Sequence, residues 1–182
     1  VPPGSTMRMD MKNKAQPTSK ELVMQETDII VSKTDTKGRL TYGNEKFIEF
    51  SGFAEAELLG QQHNIIRHPD MPRGVFKFLW DNISQGKELF AYVKNMSRDG
   101  SFYWVIANVT PDYDSNGNIV GYFSVRRAPS SSAIQVIDGL YRQMLEAEKQ
   151  AGKRDACDAS LNLLTRILQE KGMTYEQFIL TI

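Results

Sequence analysis

The sequence contains a single cysteine, Cys157, and only two histidines, His63 and His68. One cysteine cannot form an internal disulfide, and such usage is typical of proteins in a reducing compartment. Because the chain also lacks a Cys-x-x-Cys pair or a Cys/His cluster, we expect no metal site. Lys and Arg total 22, as do Asp and Glu, so the basic excess that favours nucleic-acid binding is missing.

Long apolar runs are missing too. None approaches the ~20 residues that a membrane-spanning helix needs, so we expect a cytoplasmic protein without direct membrane insertion. The opening letters VPPGST read as an expression-vector remnant, and the polar stretch that follows has no hydrophobic period. We therefore divide the chain into a tag and mobile N-terminus (1–20), one domain (21–129) and a helical extension (130–182).

The sequence offers little for catalysis. Cys157 lies in the predicted helical extension, far from both histidines, so no nucleophile with an adjacent base is evident. There is also no glycine-rich phosphate loop and no convergent carboxylate pair. We therefore predict a binding or sensing protein rather than an enzyme.

The polar chemistry of the chain is concentrated in His63–Pro72, which reads HNIIRHPDMP. Pro69 and Pro72 restrict the residues before them to extended geometry. We expect a stiff loop that holds polar side chains at fixed angles. A surface loop in which Arg67 and Asp70 simply pair with each other is the plainer alternative.

Five β-rich runs are separated by turn signals, which predicts five strands. The runs cover residues 29–34, 39–42, 90–96, 102–109 and 119–126. Because a two-stranded hairpin is only marginally stable alone, the first two strands and the last three must share one antiparallel sheet.

Helical patterns lie between the two groups of strands. They predict a helix that begins at the N-cap Asn44 and ends at Gly52, a short helix over 55–59, and an amphipathic helix over 73–84. These helices then cover one face of the sheet. The result is an α+β fold with room for a ligand between helices and sheet, and the polar loop at its mouth.

The last third of the chain is predicted to be helical. Ser130 is an N-cap candidate, apolar stripes follow over 134–145 and 155–171, and Thr174 begins a third helix. Exposed stripes of this size would form a large apolar patch. They must therefore pack on the domain or pair with another chain. We favour pairing for at least part of the surface, in a homodimer or with a partner helix.

The order of these motifs resembles a PAS domain. The motifs are GNEKFIEFSGF, ELLGQQHNIIRHPDMP, VKNMSRDGSFYWV and GYFSVRR, and the resemblance covers about Thr27 to Arg127. More narrowly, the chain resembles the flavin-binding PAS domain of bacterial aerotaxis (energy-taxis) receptors, in a stand-alone form. The resemblance implies the five-stranded antiparallel PAS sheet, a C-terminal helical extension, and FAD as cofactor.

A flavin site needs donors and acceptors for the ring edge, apolar walls, and cations near the pyrophosphate. Guided by the resemblance, we assign the polar contacts to Asn44, His63, Asn64, Arg67, His68, Asp70, Asn95 and Asn108. Candidate aromatic walls are Phe76, Trp80 and Trp104, for which core packing is the alternative role. Helix capping is the alternative role for Asn44. Arg67 suits a phosphate because its planar fork donates two charge-assisted hydrogen bonds.

One position departs from the family pattern. Where aerotaxis receptors commonly have a tryptophan followed by small residues at the start of the third strand, this chain has LFAY over Leu89–Tyr92. The loss of that indole would change stacking or solvent access at the cofactor without abolishing the pocket.

These features predict a cytosolic FAD-binding redox or oxygen-level sensor in bacterial aerotaxis. Since no membrane span or receptor signalling segment is evident, we expect it to act in trans on a membrane chemoreceptor, a methyl-accepting chemotaxis protein, and to reach the inner membrane only through that receptor. Two alternatives stay open. One is a PAS module that senses haem or another small ligand, with His63 or His68 as the axial ligand. The other is an apo PAS dimerisation domain.

Overall fold

The computed structural model describes residues 12–182, so the vector-like start at 1–6 lies outside the described residues. The strands are β1 (Ile30–Asp35), β2 (Leu40–Gly43), β3 (Leu89–Met96), β4 (Phe102–Tyr113) and β5 (Ile119–Arg127). The helices are α1 (Glu45–Ser51), α2 (Glu55–Leu58), α3 (Arg73–Ile83), α4 (Ser131–Lys171) and α5 (Tyr175–Thr181), with a short 3-10 helix at His63–Ile66. The predicted α+β class is confirmed.

The strands form one antiparallel sheet in the order β2-β1-β5-β4-β3. β1 pairs with both β2 and β5, so the first hairpin joins the last three strands in a single sheet, as predicted. β4 continues beyond the predicted end at 109 because it keeps pairing with β5 as far as Tyr113, opposite Ile119. The predicted strand was therefore four residues too short at this end.

The short helices cover one face of the sheet and form the main core with it. Asn44 Oδ1 accepts a hydrogen bond from Phe47 N at 3.0 Å and so caps α1. Gly52 ends this helix with a φ of 71°, a left-handed conformation that glycine adopts without steric cost. Phe47 and Tyr103 are among the largest fully buried side chains, so this layer fixes the inner face of the sheet.

The C-terminal helices pack on the opposite face of the sheet. Tyr92 and Trp104, which point away from the main core, form a second apolar cluster with Ile137 and Met144 of α4. α4 has a non-helical residue, Gly152, with φ 76° and ψ 171°, so it consists of two helical segments, as the two stripes predicted. The domain itself covers much of the apolar surface of this extension, and homodimerisation stays a prediction.

Tyrosine hydroxyls fasten the C-terminal helices to β3. Tyr141 Oη donates to the carbonyl of Tyr92 at 2.6 Å, and Tyr175 Oη donates to the carbonyl of Phe90 at 2.8 Å. Thr174 caps α5 in a capping box with Gln177, as predicted. β3 is an edge strand that pairs with β4 alone, and the tyrosine side chains satisfy two of its carbonyl groups.

The segment before the sheet is more ordered than the polar sequence predicted. Thr18 N donates to the carbonyl of Gly100 at 2.9 Å, and Leu22 N donates to the carbonyl of Phe102 at 2.8 Å. Glu21 also forms a β-bridge with Phe102. Residues 18–22 are thereby held along the turn before β4 and the first residue of this strand. Within residues 12–182, no helix is long and apolar enough to cross a membrane.

Truncation after Pro129 is expected to destabilise the domain and to make it aggregate, because it uncovers Tyr92 and Trp104. Burial of one large apolar side chain stabilises a fold by about 1.5–3 kcal/mol. Urea unfolding would show the loss of stability, and static light scattering would show a rise in mass. If the mass fell by half while stability stayed unchanged, the extension would be a dimer interface and not part of the domain's core.

Candidate functional site

A cavity of about 210 Å³ lies between α3 and the inner face of the sheet. The cavity side of α3 carries Phe76, Leu79, Trp80 and Ile83. The remaining lining residues are Ser32, Thr34, Gly38, Gln62, His63, Asn64, Arg67, Val93, Asn95, Ala107, Val109, Tyr122, Ser124 and Arg126. A ligand space therefore exists where the predicted layers placed it.

The structure brings part of the predicted site together. The predicted residues that line the cavity are His63, Asn64, Arg67, Phe76, Trp80 and Asn95. Those that lie outside it are Asn44, His68, Asp70, Trp104 and Asn108. The HNIIRHPDMP segment is thus divided, with its first half at the cavity and its second half elsewhere.

Three residues form a polar cluster on the sheet side of the cavity. Arg126 Nη2 donates to Ser32 Oγ at 2.7 Å and lies 2.6 Å from His63 Nε2. Because a guanidinium only donates, His63 Nε2 accepts, and Nδ1 carries the proton of the neutral ring. Burial and the Arg126 cation lower the pKa of His63 to about 3. His63 therefore orients Arg126 without neutralising its charge.

Arg126 is the unusual member of this cluster. Its exposed fraction is 3%, and burial lowers its pKa to about 10, so it stays charged at neutral pH. Within residues 12–182 no carboxylate pairs with it, and its Nη1 has no hydrogen-bond partner. A buried guanidinium is costly unless an anion or acceptor meets it. Its position in a cavity wall indicates that a ligand supplies this acceptor.

Other unsatisfied polar atoms face the same space. Asn95 Nδ2, Thr34 Oγ1 and Ser124 Oγ are buried without a hydrogen-bond partner, and all three residues line the cavity. An unmade hydrogen bond at a buried polar atom costs about 1–3 kcal/mol. Their convergence on one cavity indicates a polar ligand edge rather than a purely apolar occupant.

Aromatic side chains form the opposite wall. The Arg67 guanidinium lies 4.1 Å from the centroid of the Phe76 ring, a cation–π contact. Trp80 meets Tyr122 edge-on, with 5.3 Å between ring centroids, and 37% of Trp80 is exposed. Phe76 and Trp80 therefore face the cavity as well as packing in the fold. Burial lowers the pKa of Arg67, which also marks this cation as partly removed from water.

Two of the predicted asparagines have structural partners. Asn44 Oδ1 accepts from Val31 N at 3.0 Å in addition to capping α1, and its Nδ2 donates to the carbonyl of Ile29 at 2.9 Å. Asn108 Nδ2 donates to Glu88 Oε1 at 2.6 Å. In this structure Asn44 has the capping role that the sequence allowed as its alternative, and Asn108 of β4 contacts Glu88, the residue before β3.

The second half of the polar loop binds β3. His68 Nδ1 accepts from Asp70 N at 3.0 Å, and Asp70 forms an ion pair of 2.7 Å with Lys94. Lys94 N donates to Met71 Sδ at 3.2 Å. The Arg67–Asp70 pair that a plain surface loop would form is replaced by these contacts. Asp70 and Met71 therefore hold the loop on the sheet, which in turn holds Arg67 at the cavity.

Trp104 and the LFAY segment lie away from the cavity. The Trp104 ring stacks on Tyr141 of α4, with 6.2 Å between centroids. None of Leu89–Tyr92 lines the cavity. Leu89 packs in the main core, whereas Tyr92 packs with α4. The departure from the family pattern at LFAY therefore changes the packing around the cavity and not its lining.

Sequence reasoning missed the polar lining residue Gln62 and four polar lining residues of the sheet, namely Ser32, Thr34, Ser124 and Arg126. All four occupy even positions in β1 and β5, and the pleat points them to the same inner face. Tyr122 of β5 is buried and lies on the same face of the strand as Ser124 and Arg126. Its aromatic side chain was the sequence signal that could have predicted an inward orientation for these two residues. Arg126 belongs to the GYFSVRR motif, but the motif alone predicts no role for this arginine.

The lining residues fit the ring of a flavin. Such a ring presents carbonyl and nitrogen acceptors along one edge, and Arg126 Nη1 and Asn95 Nδ2 are unused donors. About 210 Å³ is below the ≈ 300–1,000 Å³ typical of ligand pockets, so the cavity accommodates a flat ring rather than a whole dinucleotide. For haem the fit is poorer, because His63 Nε2 already accepts from Arg126 and His68 lies outside the cavity.

Known proteins share this architecture. Residues 40–126 match the family described as the PAS fold. The chain is 36% identical over 115 residues to the aerotaxis receptor of Escherichia coli, an alignment that covers 63% of this chain and 22% of the receptor. It is 26% identical over 110 residues to the nitrogen fixation regulatory protein of Klebsiella pneumoniae, covering 60% of this chain and 22% of that protein. The matched part is thus about a fifth of either relative.

Among solved structures, the dark state of the blue-light photoreceptor Aureochrome1 LOV superposes with a TM-score of 0.54 at 25% identity, covering 64% of this chain and 86% of that one. The sheet, its helical layer and these matches define a domain with the PAS fold. Residues 40–126 are the part that matches this fold, and the chain is similar over part of its length to the aerotaxis receptor.

Proposed function

We propose that this PAS domain binds FAD with the flavin ring in the cavity, and that it acts as a cytosolic redox or oxygen-level sensor in bacterial aerotaxis. One observation carries the proposal: the buried Arg126, whose Nη1 has no partner, faces the cavity beside unsatisfied groups of Asn95, Thr34 and Ser124. A flavin edge would satisfy these donors at once. Similarity to the aerotaxis receptor supports the same class of ligand.

The cavity residues divide the work of binding. Arg126 and Asn95 would hold the ring edge, Phe76 and Trp80 would enclose the ring, and Arg67 would meet a phosphate. A bound flavin would supply reversible uptake of electrons and a proton. The Asn95 amide can present either its NH₂ donors or its oxygen acceptor, so it can answer a change in protonation at the ring edge by rotating.

The response of Asn95 would be carried by β3, where Tyr141 and Tyr175 contact the backbone. A ligand state shifts a conformational equilibrium only through its differential interaction with the two conformations. We propose that the recipient of this shift is a separate membrane chemoreceptor of the methyl-accepting type, bound in trans, and that this domain works as a homodimer beside it.

The visible spectrum of freshly purified protein tests the cofactor. We expect the absorption bands of oxidised flavin, and FAD in the supernatant after heat denaturation. Arg67→Ala should weaken FAD binding at least about tenfold, because a charge-assisted hydrogen bond contributes about 1.5–3 kcal/mol. Arg73→Ala, which removes an exposed arginine at the start of α3, is the matched control. A Soret band, or a colourless protein that does not take up added FAD, would refute the flavin assignment.

Receptor binding tests the signalling role. Affinity for a purified chemoreceptor would be measured with the flavin oxidised and then chemically reduced, and hydrogen exchange of β3 followed in both states. We expect the two states to differ. Equal affinity and equal exchange would refute the redox-sensor role even if FAD is present.

A further inference from the structure

A buried carboxylate joins the C-terminal extension to the cavity wall. Glu148 of α4 is 8% exposed. Its Oε1 accepts from Gly74 N at 3.0 Å and from Ser160 Oγ at 2.6 Å. Gly74 lies in the first turn of α3, so one carboxylate oxygen connects three points that are far apart in sequence.

α3 depends on this contact because it has no side-chain cap of its own. Pro72 is its N-cap and makes no side-chain hydrogen bond, and its first turn contains no acidic residue. The first N–H groups of a helix lack partners inside the helix, and a carboxylate there also meets the positive end of the helix dipole. Glu148, which belongs to α4, provides both the hydrogen-bond acceptor and the negative charge at the start of α3.

The break in α4 makes the contact possible. Gly152 has a φ of 76°, which favours glycine, and it lies between Glu148 and Ser160. Gly74 matches the close approach, since a Cβ built there would overlap Ser160 Oγ. The junction of Gly74, Glu148 and Ser160 is therefore closely packed at Gly74, where a side chain would displace Ser160.

The same carboxylate acts on the cavity in two ways. α3 carries Phe76 and Trp80 in the cavity wall, so fixing its first turn fixes that wall. Arg67, another lining residue, lies within the electrostatic reach of Glu148, which partly opposes the lowering of the pKa of Arg67 by burial. The match to the PAS fold covers residues 40–126, so Gly74 lies within the matched residues, whereas Glu148 and Ser160 lie beyond them.

We infer that Glu148 is a positioning residue for the ligand cavity, and that through its junction with Gly74 and Ser160 the C-terminal extension and the cavity are thermodynamically coupled. Docking of α4 holds the aromatic wall in its binding position. By linkage, a ligand that needs this wall must stabilise the docked α4 to the same extent. The part of this inference that concerns ligand affinity rests on the proposed function, whereas the part that concerns the wall does not.

The wall is tested without any ligand, on the full chain. Hydrogen exchange of the α3 peptide over 73–84 would be compared in wild type, Glu148→Ala and Glu148→Gln. We expect about tenfold faster exchange for Glu148→Ala, the size of a lost cap, and near wild-type exchange for Glu148→Gln, whose amide oxygen still accepts. Peptides from β1 and α1 should be unchanged in both variants. Wild-type protection of α3 in Glu148→Ala, or equal loss of protection throughout the domain, would overturn the inference.

Two further variants complete the comparison. Glu146→Ala removes an exposed carboxylate two positions away in α4 and is the control, with no change expected. Ser160→Ala removes one hydrogen bond to Glu148, and a rise of a few-fold in α3 exchange is expected. If Glu148→Ala does not fold, Ser160→Ala still decides the question, because unchanged α3 exchange in it would contradict the junction.

The coupling is tested with FAD as the probe. We expect FAD affinity to fall about tenfold in Glu148→Ala, equivalent to about 1.4 kcal/mol, and saturating FAD to slow exchange in α4 over 144–164 in wild type. If wild type binds FAD but Glu148→Ala binds it equally well, the coupling is wrong and the proposed function stands. If wild type does not bind FAD, the proposed function fails, and the exchange of α3 still decides whether Glu148 positions the wall.

Discussion

Replacing Arg126 with methionine is expected to make the apo protein more stable and to abolish tight FAD binding. The buried guanidinium lacks an anionic partner, and exchange of buried charges for apolar groups of similar size is often stabilising by about 1–4 kcal/mol. Ser32 Oγ lies 3.2 Å from His63 Nε2, so these two groups satisfy each other once Arg126 is gone. Loss of the charged donor should weaken FAD binding by at least about tenfold.

The next residue supplies the control. Arg127 is exposed, so Arg127→Met should change neither urea stability nor FAD affinity appreciably. Urea unfolding of the apo proteins and titration with FAD measure the two effects separately. If Arg126→Met lowered apo stability while binding FAD normally, Arg126 would be a structural residue, and the observation that carries the flavin proposal would lose its meaning.

Acidification is expected to destabilise the apo protein well above the pH at which carboxylates titrate. His63 has a folded pKa of about 3 against an ordinary value of 6.5, so between these values the unfolded chain binds a proton that the folded chain does not. Stability is therefore full above pH 6.5 and falls as pH decreases toward 3, by up to about 1.4 kcal/mol per pH unit. Burial also lowers the pKa of His68, which adds a loss of the same sign.

Variants of the two histidines separate these contributions. His63→Gln keeps an acceptor for Arg126 but does not titrate, so it should remove about 2 kcal/mol of the loss between about pH 6.5 and about pH 5. His68→Gln should remove a further part of this loss of stability. In the double variant, the free energy of unfolding should be nearly independent of pH over this range. Urea unfolding at several pH values measures the slopes. An unchanged slope in His63→Gln would mean that His63 is protonated in the folded state, contrary to its contact with Arg126.

The fold could be predicted from the sequence because strands, helix caps and turns have local sequence signals. Asn44, Gly52 and Thr174 act at the helix ends where their chemistry places them. The orientation of the side chains at the site could not be predicted in the same way, because tertiary contacts determine it. In β5 the apolar Phe123 and Val125 alternate with Ser124 and Arg126, and alternation alone would put the polar pair toward solvent. The structure puts them in the cavity wall.

The polar loop shows the same limit. Its composition marked a functional segment, and Arg67 does line the cavity. No local sequence rule predicts that His68 and Asp70 lie outside the cavity. The position of Asp70 depends on its contact with Lys94 of β3, which is 24 positions further along the chain. The coupling of Glu148 to α3 spans 74 positions and has no counterpart in sequence periodicity.

The tyrosine contacts on β3 have a further consequence for self-association. At the opposite edge of the sheet, a neighbouring loop of the same chain forms hydrogen bonds with β2. Leu40 N donates to the carbonyl of Gln61 at 2.8 Å, and Gly60 N donates to the carbonyl of Leu40 at 2.7 Å. With Tyr141 and Tyr175 engaging β3, both rims of the sheet are occupied along part of their length. Unprotected rims are templates for intermolecular strand addition and amyloid-like growth. At these positions the backbone of the two edge strands has no free groups to offer to an added strand, which disfavours polymerisation through them and favours recognition by side-chain surfaces.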